Sequence, residues 1–208
     1  MPLTLVTGPT VEPITVEEVR LHVLQGQDVD DRYLGEIVIP AARDRMELAT
    51  GRAGMTQTWD LVCDQFPGDG YIEIPKPPLQ SVTHLKYKDT AGTLQTWAAT
   101  NYIVDAPAGP RCRRGRLGLA FSKIWPIIYG QVGDIQVRFI CGNLPADGVP
   151  PMLKWAMLLD CGTMYAHRED VLSGRGAALV QLPTTAAKIY RSFKSHPTQS
   201  PGATEWRG

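Results

Sequence analysis

Gly54-Met55-Thr56-Gln57-Thr58-Trp59-Asp60-Leu61-Val62-Cys63-Asp64 is where the chain changes its period. Met55, Gln57, Trp59, Leu61 and Cys63 alternate with Thr56, Thr58, Asp60, Val62 and Asp64, which is the two-residue repeat of a strand. Everything before this point is spaced for helices. Thr15-Val16-Glu17-Glu18 is a capping box, in which the Thr15 hydroxyl accepts from the Glu18 amide and the Glu18 carboxylate reaches back to Thr15. Val16, Val19 and Val23 follow at helical spacing, and Gly26 is a stop. Asp30 or Asp31 caps a second helix carrying Leu34, Ile37, Val38, Ala41, Ala42, Arg45 and Leu48 as one stripe up to Gly51, with Arg45 the polar exception. Pro40 lies inside it, removes a backbone donor and presses on the Glu36 carbonyl, so the spacing predicts a kink, not a break.

Beyond Asp64, extended segments are expected at Tyr71 to Ile74, Ser81 to Tyr87, Thr93 to Trp97, Tyr102 to Val104, Arg116 to Leu119 and Asp134 to Cys141. Turn clusters such as Pro67-Gly68-Asp69-Gly70 and Asp89-Thr90-Ala91-Gly92 separate them, so an antiparallel sandwich or small barrel is predicted. Pro150-Pro151 then opens the longest helix, with Met152, Trp155, Ala156, Leu159, Gly162 and Thr163 on one side and Leu153, Met157 and Leu158 widening the apolar face. After a Gly-rich break at Ser173 to Gly176, Thr184 or Thr185 caps a last short helix through Phe193. The fold class is therefore α+β: a small helical bundle with a long antiparallel β insertion and an extended C-terminal tail. The expected divisions are residues 1–54 and 143–194 for the helical core, 55–142 for the β insertion and 195–208 for a flexible tail.

Composition narrows the function. The 208 residues carry 21 Lys+Arg and 21 Asp+Glu, so no global field draws the chain to nucleic acid or an anionic membrane. No apolar run approaches the roughly 20 residues of a membrane helix, and Met1 to Pro9 lacks the pattern of a signal peptide, so the chain is expected to be cytosolic when made. Cys63, Cys112, Cys141 and Cys161 form no Cys-x-x-Cys pair and read as reduced, buried thiols. His22, His84, His167 and His196 fall in four different elements. Glu17-Glu18, Asp30-Asp31 and Glu169-Asp170 sit at helix ends, and no phosphate loop, nucleophile elbow or zinc motif is present. No catalytic residue, metal or cofactor is assigned. The rival reading, a hydrolase or nucleic-acid-processing enzyme with an unrecognised site, requires a polar pocket of convergent titratable groups.

Two segments stand out as contact candidates. Arg111, Arg113, Arg114 and Arg116, flanked by Gly109-Pro110 and Gly118, form a basic loop suited to a neighbouring subunit or to phosphate. Near the C-terminus, Ile189, Tyr190 and Phe193 make an apolar stripe surrounded by Lys188, Arg191 and Lys194, and Trp206 follows after a polar stretch. These seven residues read as an anchor for a partner. Trp59, Trp97, Trp125 and Trp155 are expected to pack between elements.

Several pieces carry a likeness through their order and spacing. They are Pro13-Ile14-Thr15-Val16-Glu17-Glu18-Val19, Ile39-Pro40-Ala41-Ala42-Arg43 leading to Thr50-Gly51-Arg52-Ala53, Thr56-Gln57-Thr58-Trp59, and Ile74-Pro75-Lys76-Pro77-Pro78-Leu79-Gln80-Ser81-Val82. Trp125-Pro126, Val137-Arg138-Phe139-Ile140-Cys141-Gly142 before Val149-Pro150, and the helix with Leu153-Lys154, Ala156 and Leu158-Leu159 continue the likeness. Together these pieces resemble the phage head-tail connector proteins of the phiE125 gp8-like type, which also occur in gene transfer agents. The resemblance implies a connector core with a β insertion, assembled as a ring of twelve subunits. The ring would join the portal protein to a stopper or other tail-side component, with DNA passing through it and no membrane involved. It also implies residence in the virion after assembly in the bacterial host cytoplasm, and portal contact through Lys188 to Lys194 and Trp206.

Overall fold

The computed structural model describes residues 2–23, 31–68, 70–143, 145–166 and 185–195. The capping box forms as its sequence dictates: the Thr15 amide donates to Glu18 Oε2 at 2.6 Å and the Glu18 amide donates to Thr15 Oγ1 at 3.1 Å. Helix α1 (Val16–Val23) follows. The one-turn helix α2 (Asp31–Tyr33) runs through a π-helical turn, Leu34–Val38, into α3 (Ile39–Thr50).

That π turn is how the chain stays helical through Pro40. The Ile39 amide donates to the Leu34 carbonyl, a ring one residue longer than in an α-helix, placed just ahead of the residue that has no amide to give. The buried face differs from the expected stripe. Leu34, Val38, Ala42 and Met46 are buried, while Ile37 and Leu48, expected in the same stripe, point outward. Helix α4 (Pro151–Ala166) is similarly rotated: Leu153, Ala156, Met157 and Cys161 face the core, and Met152 and Trp155 face solvent. Trp155 is thus not the packing residue its type suggests. Together with α5 (Thr185–Ser192), these helices enclose one apolar cluster from Ile14 and Val19 to Met157, Tyr190 and Phe193.

The β part has eight strands: β1 (Leu3–Thr7), β2 (Gln57–Cys63), β3 (Tyr71–Ile74), β4 (Leu79–Lys88), β5 (Leu94–Trp97), β6 (Tyr102–Asp105), β7 (Gly115–Leu119) and β8 (Ile135–Cys141). They form a five-stranded sheet, β1-β2-β8-β4-β5, and a three-stranded sheet, β3-β7-β6, with antiparallel pairing throughout both. In the larger sheet Leu61, Val137 and Leu85 lie in register across three strands, all buried. In the smaller, Ile72 and Leu117 do the same, and the apolar residues of both sheets merge into a second cluster. Strand β1 was not expected. It adds the first residues of the chain to the sheet edge, ahead of the helices they precede in sequence.

The two clusters meet where the chain enters and leaves the sheets. Ala53 belongs to the β cluster and Met55, two residues on, to the helical one. Between them Gly54 passes so close to α3 that a Cβ there would lie 2.8 Å from Met46 Cε. Its carbonyl accepts from the Asn143 side-chain amide at 3.0 Å, and its amide donates to Glu47 Oε1 at 2.9 Å. Glu47, buried near the end of α3, also accepts from the Gln57 side chain and lies 3.6 Å from Lys76 Nζ. Gln57 in turn accepts from Trp59 Nε1 at 2.9 Å, and Lys76 covers the Trp59 ring at 4.4 Å. One carboxylate therefore ties α3 to two stretches of chain, Gly54 to Gln57 at the entry of β2 and Lys76 in the turn before β4.

At the exit, Gly142 adopts φ +103°, and a Cβ placed on it would run into the Met55 carbonyl. Gly142→Ala therefore combines a disfavoured backbone with a clash against main chain that cannot swing aside. The expected loss is about 3 kcal/mol or more of unfolding free energy, read from denaturant titration against wild type.

Candidate interaction surfaces

Helix α5 docks on its own bundle. Ile189, Tyr190 and Phe193 turn inward, and only Lys188, Arg191 and Lys194 of the expected anchor face solvent. The stripe read as free is core because α4 offers it a buried acceptor: Tyr190 Oη donates to Asp160 Oδ2 at 2.8 Å. Arg45, the polar exception in the α3 stripe, reaches Asp160 Oδ1 at 3.4 Å. Burial raises the Asp160 carboxyl above its ordinary value, although Tyr190 and Arg45 both pull it down, and burial raises the Tyr190 hydroxyl. After α5 the chain returns to α3: the Ser195 amide donates to the Thr50 carbonyl at 2.7 Å and Ser195 Oγ donates to the Gly51 carbonyl at 3.1 Å. These are carbonyls that a helix end leaves unpaired. Trp206 lies outside the described residues.

The arginine loop joins β6 to β7, and it is held by its own chain. Asp105 at the mouth of this hairpin accepts from Arg113 Nη2 at 2.8 Å and from Arg116 Nε and Nη2 at 3.0 and 2.8 Å. Arg114 Nη1 is 3.4 Å from Glu73 Oε2 on β3. The Arg111 guanidinium lies 5.2 Å from the Phe193 ring centroid, a cation–π contact onto α5. Behind the loop, buried Arg52 donates to the Cys112 carbonyl and thiol, each at 3.0 Å. The structure brings the two predicted sites together through Arg111 and Phe193. It uses the basic loop as a strap from the smaller sheet to the helical part.

A third surface escaped the sequence reading. The β7–β8 connection projects Phe121, Ile124, Ile127 and Val132 into solvent, at 95%, 84%, 79% and 86% exposure. Their backbone is nevertheless fixed. Trp125 stacks on Phe66 at 4.6 Å and 10°, and lies 5.0 Å from Trp97. The amides of Gly130 and Gln131 both donate to Asp134 Oδ2 at 2.7 Å, which holds that carboxyl below the ordinary value, and the Gly133 amide donates to Asp64 Oδ1 at 2.9 Å. The signal was available: Phe121 to Gly133 is a long run between strands with Lys123 as its one charge, more apolar than a connection needs to be.

Beside this loop is a cleft of about 540 Å³, and Asp64 is the one titratable group in its lining. Among the described residues no three His, Cys, Asp or Glu side chains gather as metal ligands. No described helix is long and apolar enough to cross a membrane. All four cysteines are buried and unpaired, with burial pushing Cys141 and Cys161 up to about 12.

The fold is similar to that of a chain in the virion of a native gene transfer agent particle. The match covers 96% of this chain and 98% of that one, with TM-score 0.74 and 21% identity. A chain in the neck of the empty particle, computed with C6 symmetry, matches over the same shares at TM-score 0.73 and 20% identity. One in the neck of the native particle, computed with C12 symmetry, matches at 0.72 and 23%, again over 96% and 98%. At these identities the likeness is one of fold. No family model and no curated protein matches the chain.

Asp160 supplies a pH test of the buried α4–α5 contact. Its folded pKa lies above the unfolded value near 3.8, so the folded state holds the proton more tightly and loses stability as pH rises through that window. Asp160→Asn keeps an acceptor for Tyr190 without the buried charge. The unfolding free energy of this variant relative to wild type is expected to rise from about pH 4 upward and to level off above the raised pKa, as measured by denaturant titration across pH.

Proposed function

We propose that the chain is a structural subunit of the neck of a tailed phage or phage-like particle, and not an enzyme. Copies form a ring of twelve that joins the portal to the next tail-side component, with DNA passing through the opening. The observation that carries this reading is that the whole chain, helical part and β part in one arrangement, corresponds over nearly its full length to chains of gene transfer agent particles. A neutral chain with two cores and a fixed apolar loop suits permanent assembly. The enzyme reading needs a pocket of convergent titratable groups, and the cleft beside the β7–β8 loop has one carboxylate, engaged by a backbone amide.

In this reading the exposed cations Lys188, Arg191 and Lys194, with Trp206 further along, meet the portal, while Ile189, Tyr190 and Phe193 hold α5 in place behind them. Arg111 and Arg113 remain exposed at the strap and lie toward subunit contacts. Charge on an exposed helix face changes association without unfolding the protein.

Purified portal rings mixed with this protein are expected to gain a twelve-fold ring visible by electron microscopy. The triple change Lys188→Glu, Arg191→Glu and Lys194→Glu should weaken that joining about tenfold or more with an unchanged melting temperature. Deleting residues 196–208 keeps the Ser195 bonds, and should likewise give a folded protein that joins portals poorly. Normal tail attachment in particles lacking the protein would sink the reading.

A further inference from the structure

We infer that the β7–β8 loop is one half of a head-to-tail contact between copies of this chain. Phe121, Ile124 and Ile127 of one copy seat on exposed apolar side chains of α3 and α4 of the next. The inference rests on the ring reading above and adds the surface that closes the ring.

Four large apolar side chains stand almost fully in water on a backbone that an aromatic stack and two carboxylates immobilise. A loop whose role ended at its own fold would turn such residues inward or carry polar ones. Fixing the backbone before contact removes the ordering cost of binding, which suits a permanent joint. The chemistry of the occupant follows from charge. Lys123 is the single charged residue from Phe121 to Val132, so the loop offers little to phosphate or to an anionic lipid surface.

The chain itself supplies a second uncovered apolar set on different elements. Leu48 on α3 is 88% exposed, and Met152 and Trp155 on α4 are 51% and 43% exposed. A two-fold contact needs one self-complementary patch, whereas a closed ring needs two unlike patches on each subunit. This chain has two. With 21 charges of each sign, copies can approach without net repulsion.

The test places a photo-crosslinking benzoylphenylalanine at Ile124 in the full chain and mixes unlabelled with nitrogen-15-labelled protein. The mixture is irradiated both in concentrated solution and as rings on portal. Crosslinks of mixed isotope composition from position 124 to α3 or α4 are expected. Intact rings whose crosslinks run within one chain, loop to loop, or only to a different protein would overturn the contact and leave the ring reading standing. Absence of both rings and inter-chain crosslinks would remove the two together. In parallel, Phe121→Ser with Ile124→Ser and Ile127→Ser should reduce ring formation at least about tenfold with an unchanged melting temperature. Ring formation equal to wild type would count against the contact.

Discussion

Glu47 is the point on which the two halves of this protein depend. A buried carboxylate is stable only when its oxygens are met, and here they are met by a backbone amide, a side-chain amide and an ammonium from two stretches of chain, Gly54 to Gln57 and Lys76. Each of those stretches is thereby given its place relative to α3. The entry into β2 is set through Gly54 and Gln57, and the turn before β4 through Lys76. Without that carboxylate the helical cluster and the sheet cluster would each still be apolar, but the directional contact where the chain enters the sheets would be lost. Hydrophobic contact supplies adhesion between layers; it does not supply angle. The strap from Arg111 to Phe193 and the buried pair of Arg52 with Cys112 fix the same orientation from the far side.

The sequence was most readable where a local rule has a local cause. Thr15 and Glu18 are three residues apart and need nothing else to cap a helix. The two-residue repeat from Gln57 to Cys63 is a property of one strand, and the antiparallel β part between two helical segments follows from counting such strands. What failed depended on partners distant in sequence. The buried face of α3 runs through Ile39, Ala42 and Met46, which leaves Leu48, expected in the stripe, in solvent. Strand β1 buries no alternating face of its own and is set by β2 beside it. The stripe of Ile189, Tyr190 and Phe193 was correctly seen as needing cover, but its cover is α4 of the same chain, through Asp160. Arg45, an anomaly in its own helix, is explained by that same carboxylate.

The contact candidates divide in a similar way. Four clustered arginines draw attention in a sequence because charge is conspicuous, yet Asp105 and Glu73 absorb most of them. The apolar β7–β8 loop draws none, because apolar residues are assumed to be inside. Exposure is what separates interface from core, and it is a property of the folded chain alone.

Ser195 gives the molecule a direction of strength. Its amide and hydroxyl seal the last turn of α3 at Thr50 and Gly51, so any pull on the residues that follow is delivered first to that helix end. From there tension has a short route, one helical turn back to Glu47 and across it into the sheets, and it shears several hydrogen bonds at once instead of peeling them singly. A terminus joined to a free loop would unravel under traction. One joined to the capped end of a central helix behaves as an anchored cable, and the load it carries passes through that helix before it reaches the sheets.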